Sequence, residues 1–255
     1  MSTHIEYEYP LNERTRTLLR LESYFSQATH FLHQPSTWDS QVCMSSLIEL
    51  LNHLDRHDLR GELLKELERH FSRFTRLLQT PAIDHERLTL TLDELTSQIQ
   101  ILHGMSVKAH QDLRAYELLN IIRQRTTLLG TSGSFDIPAY HQWLHQSKNK
   151  RVDQLKVWLQ SLSPLQEGID LLLRIIRNSG IFEPKSAESG FYQRSFESQM
   201  NCHLVQTRLP KSEVVFPEVS GGKHRLCIRF LSMPSSGRPK QTDQTVNFDV
   251  CFCIL

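Results

Sequence analysis

The chain has 255 residues, enough for one large domain or two small ones with a proper core. Twenty-nine Lys and Arg stand against 28 Asp and Glu, a formal charge of +1 that argues against a general nucleic-acid binder and leaves room for a local basic patch. The five cysteines are odd in number and include no C-x-x-C, so they outline neither a disulfide framework nor a zinc knuckle.

Ile5, Tyr7 and Tyr9 alternate with Glu6 and Glu8 until Pro10, which predicts a short strand over residues 4–9 that needs a sheet to join. The N-terminus has no basic region followed by an apolar core and does not read as a signal peptide. Asn12 is a good N-cap, and a helix follows with Leu18, Leu21, Phe25, Ala28 and Leu32 on one stripe. A second helix carries Leu47, Ile48, Leu51 and Leu54 to about Asp55. After the polar turn Asp55-Arg56-His57-Asp58, a third runs from about Leu59 to Leu78. A fourth, capped by Asp84, stops at Gly104, and a fifth carries Leu113, Leu118, Ile121 and Ile122, with Arg123 and Arg125 near its end. Gly130 to Ser134 is a glycine- and serine-rich break. Asp136 before Pro138 reads as the start of a short helix with Tyr140, His141, Trp143 and His145. Helices around Val152–Leu159 and from Ser163 to Gly180 complete the helical part; its most apolar segment, near Leu171–Ile176, is far short of a membrane span.

After Gly180 the texture changes to strands: Cys202–Leu209, Val214–Val219, Leu226–Phe230, and a final run alternating Phe248, Val250, Phe252 and Ile254 with Asn247, Asp249, Cys251 and Cys253. Helices followed by strands give an α+β fold. The expected division is a helical domain over residues 11–180 and an antiparallel β-sheet domain over 181–255, with residues 4–9 adding a strand to the sheet. The strand that opens after Gly221-Gly222 is the most informative. Leu226, Ile228 and Phe230 point one way, and Lys223, Arg225 and Arg229 point the other, with no acid in the run. A solvated face is the plain reading; an anionic ligand or acidic peptide is the functional one.

Catalytic and metal motifs fail. His141-x-x-x-His145 has zinc-helix spacing, but Gln142 stands where the zincin motif needs a general-base Glu, and His53 and His57 straddle a helix end. Gly221-Gly222-Lys223 resembles a phosphate loop, but Pro217 and His224 occupy positions that need Gly and Ser or Thr. The chain reads as no enzyme, with no cofactor and no metal.

Several strings, in order, resemble one family. Pro10-Leu11-Asn12-Glu13-Arg14-Thr15-Arg16-Thr17-Leu18-Leu19-Arg20-Leu21-Glu22 is similar to the N-terminal signature of the ZapD family of bacterial division proteins. The resemblance continues through Glu62–Leu67, Ser134–Pro138, Trp143-Leu144-His145 and Gly190–Gln193 to Ile228-Arg229-Phe230. It implies a cytoplasmic adaptor at the mid-cell division ring, a homodimer that binds the C-terminal tail of FtsZ and bundles its filaments. It also implies a basic cavity where the two domains meet, to which Arg20, Arg56, His141, Arg225 and Arg229 correspond; Lys223, on the same cationic strand face, is a candidate beside them. Glu117 departs from an expected base on the helical side, where Arg114 or Arg123 is the candidate replacement. The alternative reading is a single-stranded nucleic-acid binder using the basic strand. Near-zero net charge and the lack of aromatics on its cationic face count against that, so neither nucleic acid nor membrane is an expected partner.

Overall fold

The computed structural model describes residues 3–80, 84–105, 112–129, 134–196, 201–222 and 225–255. The chain forms two compact units, Met1–Leu19 with Leu173–Leu255 and Arg20–Leu172, and passes from one to the other inside its first and its last helix. The architecture is the expected α+β, a helical series followed by antiparallel sheets.

In the helical unit, α1 (Glu13–Leu32) leads to α2 (Thr37–Arg56), α3 (Leu59–Leu77) and α4 (His85–Gly104). After them come α5 (Glu117–Leu129), α6 (Pro138–Leu144), α7 (Lys148–Gln160) and α8 (Ser163–Arg177). Their ends follow side-chain chemistry. Asn12 accepts a hydrogen bond from the Thr15 amide at 2.8 Å. Ser36 and Asp39 form a capping box on α2, and Asp58 and Asp84 cap α3 and α4. Leu21, Leu47, Ile48, Leu63, Leu67, Leu95, Leu102 and Trp158 are fully buried. Arg151 is buried too, and its guanidinium donates to Ser40 Oγ and to the carbonyls of Pro35, Leu144 and Gln146, so one side chain ties α2 to the turn between α6 and α7.

Two helix starts differ from expectation. The fifth helix begins at Glu117: Leu113 is helical but is separated from it by a turn at Arg114 and Ala115, closed by the Tyr116 amide on the Leu113 carbonyl. The sixth is capped by Ile137 without a side-chain bond, and Asp136 lies in a 3-10 turn (Ser134–Asp136). Pro138 stands in the first turn and keeps the residue before it out of the helical conformation. The predicted break at Gly130–Gly133 lies outside the described residues.

In the β unit, β1 (His4–Pro10), β4 (Cys202–Pro210), β8 (Val246–Ile254) and β2 (Glu183–Ala187) form one sheet in the order β1-β4-β8-β2. The other contains β3 (Phe191–Ser195), β6 (Arg225–Ser232) and β5 (Val215–Gly221) in the order β3-β6-β5, with the two-residue β7 (Lys240–Gln241) pairing at the end of β6. The lone N-terminal strand joins the sheet as expected, antiparallel to β4 with Ile5 opposite Leu209 and Tyr9 opposite Val205. Chain termini far apart in sequence thus build one sheet.

Both sheets contribute to one core, in which Val205, Leu209, Phe248 and Val250 meet Leu226, Ile228 and Phe230. The chain switches sheets at a tight hairpin whose central residues, Ser189 and Gly190, both have positive φ, as a type I′ turn requires. A Cβ on Gly190 would lie 2.7 Å from the Thr242 carbonyl oxygen, so glycine is needed for space as well as for its dihedral. In β8 the alternation is real, but toward the C-terminal end the second face is buried as well. Cys251 and Cys253 are fully covered, and Cys253 Sγ donates to the carbonyl of Arg177 at the end of α8.

Candidate functional site

The cationic strand forms as its alternation predicts. Leu226, Ile228 and Phe230 are fully buried, Arg225 and Arg229 are exposed, and Cys227 is half-buried between them. A strand rises about 3.4 Å per residue, which sets the two arginines roughly 14 Å apart on one face. Lys223 lies outside the described residues. The neighbouring strands alter the local charge. Arg229 faces Glu218 across the β5–β6 ladder and forms an ion pair with it, each side chain about half exposed. Arg225 donates instead to the neutral amide oxygen of Gln193 on β3. The two arginines therefore differ: one carries an internal counter-ion, and the other makes a bond to a neutral group.

In the helical unit, Arg20 on α1 and Arg56 at the end of α2 are both exposed, and both act on the same side chain, His53. Burial holds His53 below the ordinary imidazole range, and the positive charges of His57, Arg20 and Arg56 press it further down against a smaller opposing effect of Glu62. The structure thus brings Arg20 and Arg56 into one electropositive cluster with two histidines. Sequence spacing marked His53 and His57 only as an incomplete metal pair. His141 is exposed on α6, its ring 4.4 Å from that of His145, whose Nδ1 bonds to the His141 carbonyl. It is not among the groups acting on His53.

Arg114 and Arg123, the candidate replacements for a base at position 117, are both held by Asp55, Arg123 at 2.6 Å. Glu117 occupies the first turn of α5, where a carboxylate complements the helix dipole. The acid there thus has a local structural reason, and the bases nearby are already paired.

The remaining reactive groups are quiet. Burial pushes the Cys43 thiol up to about 12 and the Cys202 thiol up to about 11, and it raises Cys251 and Cys253 as well. Thiols held protonated are poor nucleophiles. Among the described residues there is no group of His, Cys, Asp and Glu that could hold a metal ion, and no helix long and apolar enough to cross a membrane. A shallow cavity of about 450 Å³ in the β unit is lined by His4, Lys185, Arg208, Asn247 and Asp249, among others, and by none of the residues predicted from sequence. Its cations are committed, Arg208 to Glu6 and Lys185 to Glu183.

The profile of the ZapD cell division protein family matches residues 19–229. Over full length the chain is similar to curated relatives named cell division protein ZapD. That of Methylococcus capsulatus is 36% identical over 257 residues, covering 100% of both chains. That of Azoarcus sp. is 36% identical over 251 residues, 98% of this chain and 100% of the relative. That of Pectobacterium atrosepticum is 40% identical over 238 residues, 92% of each.

Proposed function

The chain belongs to the ZapD family of cell division proteins, and from that premise we propose that it is a non-enzymatic adaptor that binds the C-terminal tail of FtsZ. As a homodimer in the cytoplasm it cross-links FtsZ filaments and so stabilises the ring at mid-cell. The observation that carries this reading is the face of β6. Arg225 and Arg229 project from a strand whose other side is locked into the core by Leu226, Ile228 and Phe230. Cations on a rigid mount lose little freedom when they meet an acidic peptide, and charge-assisted bonds to carboxylates are the strong ones. Arg20 and Arg56 supply a second set of exposed cations in the helical unit. His141 belongs to the proposed site through the family resemblance, and Lys223 through the alternation of the cationic strand.

The mechanism is one of valency. One weak tail site per protomer, doubled in a dimer, bridges two filaments, and a filament bearing many tails multiplies the avidity. Because the contacts are ionic and exposed, binding weakens as salt rises.

Sedimentation with GTP-polymerised FtsZ, beside a gel shift with single-stranded DNA, tests the proposal. The protein is expected to pellet with FtsZ, to bundle the filaments and to leave the DNA unshifted. DNA binding without FtsZ binding overturns the reading. Light scattering is expected to give a dimer mass at micromolar concentration; a monomer that still bundles filaments would exclude bridging by a dimer.

A further inference from the structure

His53 lies one turn before the end of α2, and its ring stacks on that of His57, the residue that caps the helix. The centroids are 4.6 Å apart and the planes 30° apart. Nε2 of His53 is buried and has no hydrogen-bond partner among the described residues, so no protein acceptor there stabilises a proton on that nitrogen. The groups around it are mostly cations: Arg20 from α1, Arg56 and His57 from the end of α2 and its cap, with Glu62 of α3 opposing them. From the side of α5, Arg123 and the preceding Arg114 are spent on Asp55. The other helices packed on α2, α6 and α7, contribute none of the groups acting on His53.

Two stacked imidazoles among arginines cannot both hold a proton cheaply, since like charges a few ångströms apart repel. A carboxylate arriving at Arg20, Arg56 and the exposed His57 offsets that field. We infer that docking of an acidic tail at this cluster is coupled to protonation of His53, so that the complex forms with uptake of a proton from solvent. The carboxylate stays ionised throughout; the proton goes to imidazole nitrogen, and no covalent bond to carbon changes. The arginines and His57 make the contact, and His53 acts through the field and through its neighbour. This rests on the reading that Arg20 and Arg56 meet the FtsZ tail.

The sign of the effect follows. His53 binds its proton more tightly in the complex than in the free protein, so affinity rises as pH falls between its two titration midpoints. It is flat above the higher midpoint and flat below the lower one. One proton limits the slope to about tenfold in affinity per pH unit. Acidification would therefore tighten the grip on filaments without any change in protein concentration.

The test is calorimetry of the full chain with a synthetic FtsZ C-terminal tail peptide from the same bacterium, at pH 6, 7 and 8, in buffers of differing ionisation enthalpy. The expected result is net proton uptake by the wild type, and none by His53→Gln at unchanged far-UV circular dichroism. Binding by the wild type without uptake, or equal uptake by His53→Gln, overturns the inference and leaves tail binding standing. No binding at any pH overturns the tail-binding reading itself, and this inference with it. Nuclear magnetic resonance of the wild-type histidine ring protons gives an answer that does not depend on the variant's folding. The His53 titration must move to higher pH on saturation with peptide, and an unmoved titration refutes the coupling.

Discussion

If β6 presents its arginines to the tail, Glu218 is a competitor built into the site. Arg229 must leave the Glu218 carboxylate, or share itself, before it can bond a tail carboxylate. Glu218→Gln removes the competitor, keeps the side-chain shape and leaves the β5–β6 ladder untouched. The expected sign is therefore a gain. Both side chains of the pair are about half exposed, and such pairs contribute about 0.2–1 kcal/mol, so tail affinity should rise by roughly 1.4-fold to 5-fold. Removing the Arg225 cation should cost far more, because it breaks no internal ion pair to compensate: its bond is to the neutral Gln193. Arg225→Glu replaces a charge-assisted donor with a repulsive carboxylate and should cost ~2–5 kcal/mol, about 30-fold to several thousand-fold in affinity. Titration of a labelled tail peptide at low and moderate salt measures both, with melting temperature as the folding control. Glu218→Gln binding no better than wild type, in a protein that melts normally, would show that Arg229 does not engage the tail. A merely solvated basic face predicts that neither variant changes anything.

Two predictions concern the sheets themselves. Burial pushes the Glu8 carboxyl up, but the paired hydrogen bonds and charge of Arg177, with a further bond from Gln206, outweigh it and leave Glu8 below its ordinary range. A depressed carboxylate stabilises the fold above its unfolded value and loses that contribution as pH falls through its folded value. Glu8→Gln should therefore cost about 2 kcal/mol at neutral pH, with the gap from wild type closing below pH ~4; a gap independent of pH refutes the account. Phe230 is fully buried with its ring 4.7 Å from that of Phe248. Phe230→Ala should cost about 3–5 kcal/mol and lower the melting temperature by roughly 6–20 °C, and a smaller loss would mean that the core refills the cavity.

The fold was legible where one-dimensional periodicity meets one buried face. Period two over Ile5–Tyr9, with no sheet nearby in sequence, forced the strand to pair elsewhere, and β4 is where it pairs. Caps were legible for the same reason: Asn12 and Asp84 each satisfy an amide three residues away, so the chemistry is local. Local reading failed where tertiary covering decides. Cys251 and Cys253 occupy the positions of a polar strand face, yet the end of α8 closes over that face and they are buried. Glu6 and Glu8 look like a solvated edge beside Tyr7. Their partners, Arg208 and Arg177, stand 202 and 169 residues away, and nothing in the N-terminal run announces them.

The candidate site shows the same limit in its charges. Reading β6 alone gives cations and no acid, which is correct for the strand and incomplete for the surface. In a sheet the neighbour of Arg229 is whatever the ladder sets opposite it, and the register of β5 sets Glu218 there. Register depends on the whole hairpin, so a one-residue slip would move Glu218 to the other face and leave Arg229 without this counter-ion. The cluster in the helical unit reverses the lesson. His53, His57 and Arg56 are near neighbours in sequence, but Arg20, whose charge also acts on His53, comes from another helix, α1. Residue type at single positions thus identifies which groups can carry charge. Pairing across strands and helices decides which of them still have charge to offer a partner, and that distinction separates Arg225 from Arg229 and Arg20 from Arg123.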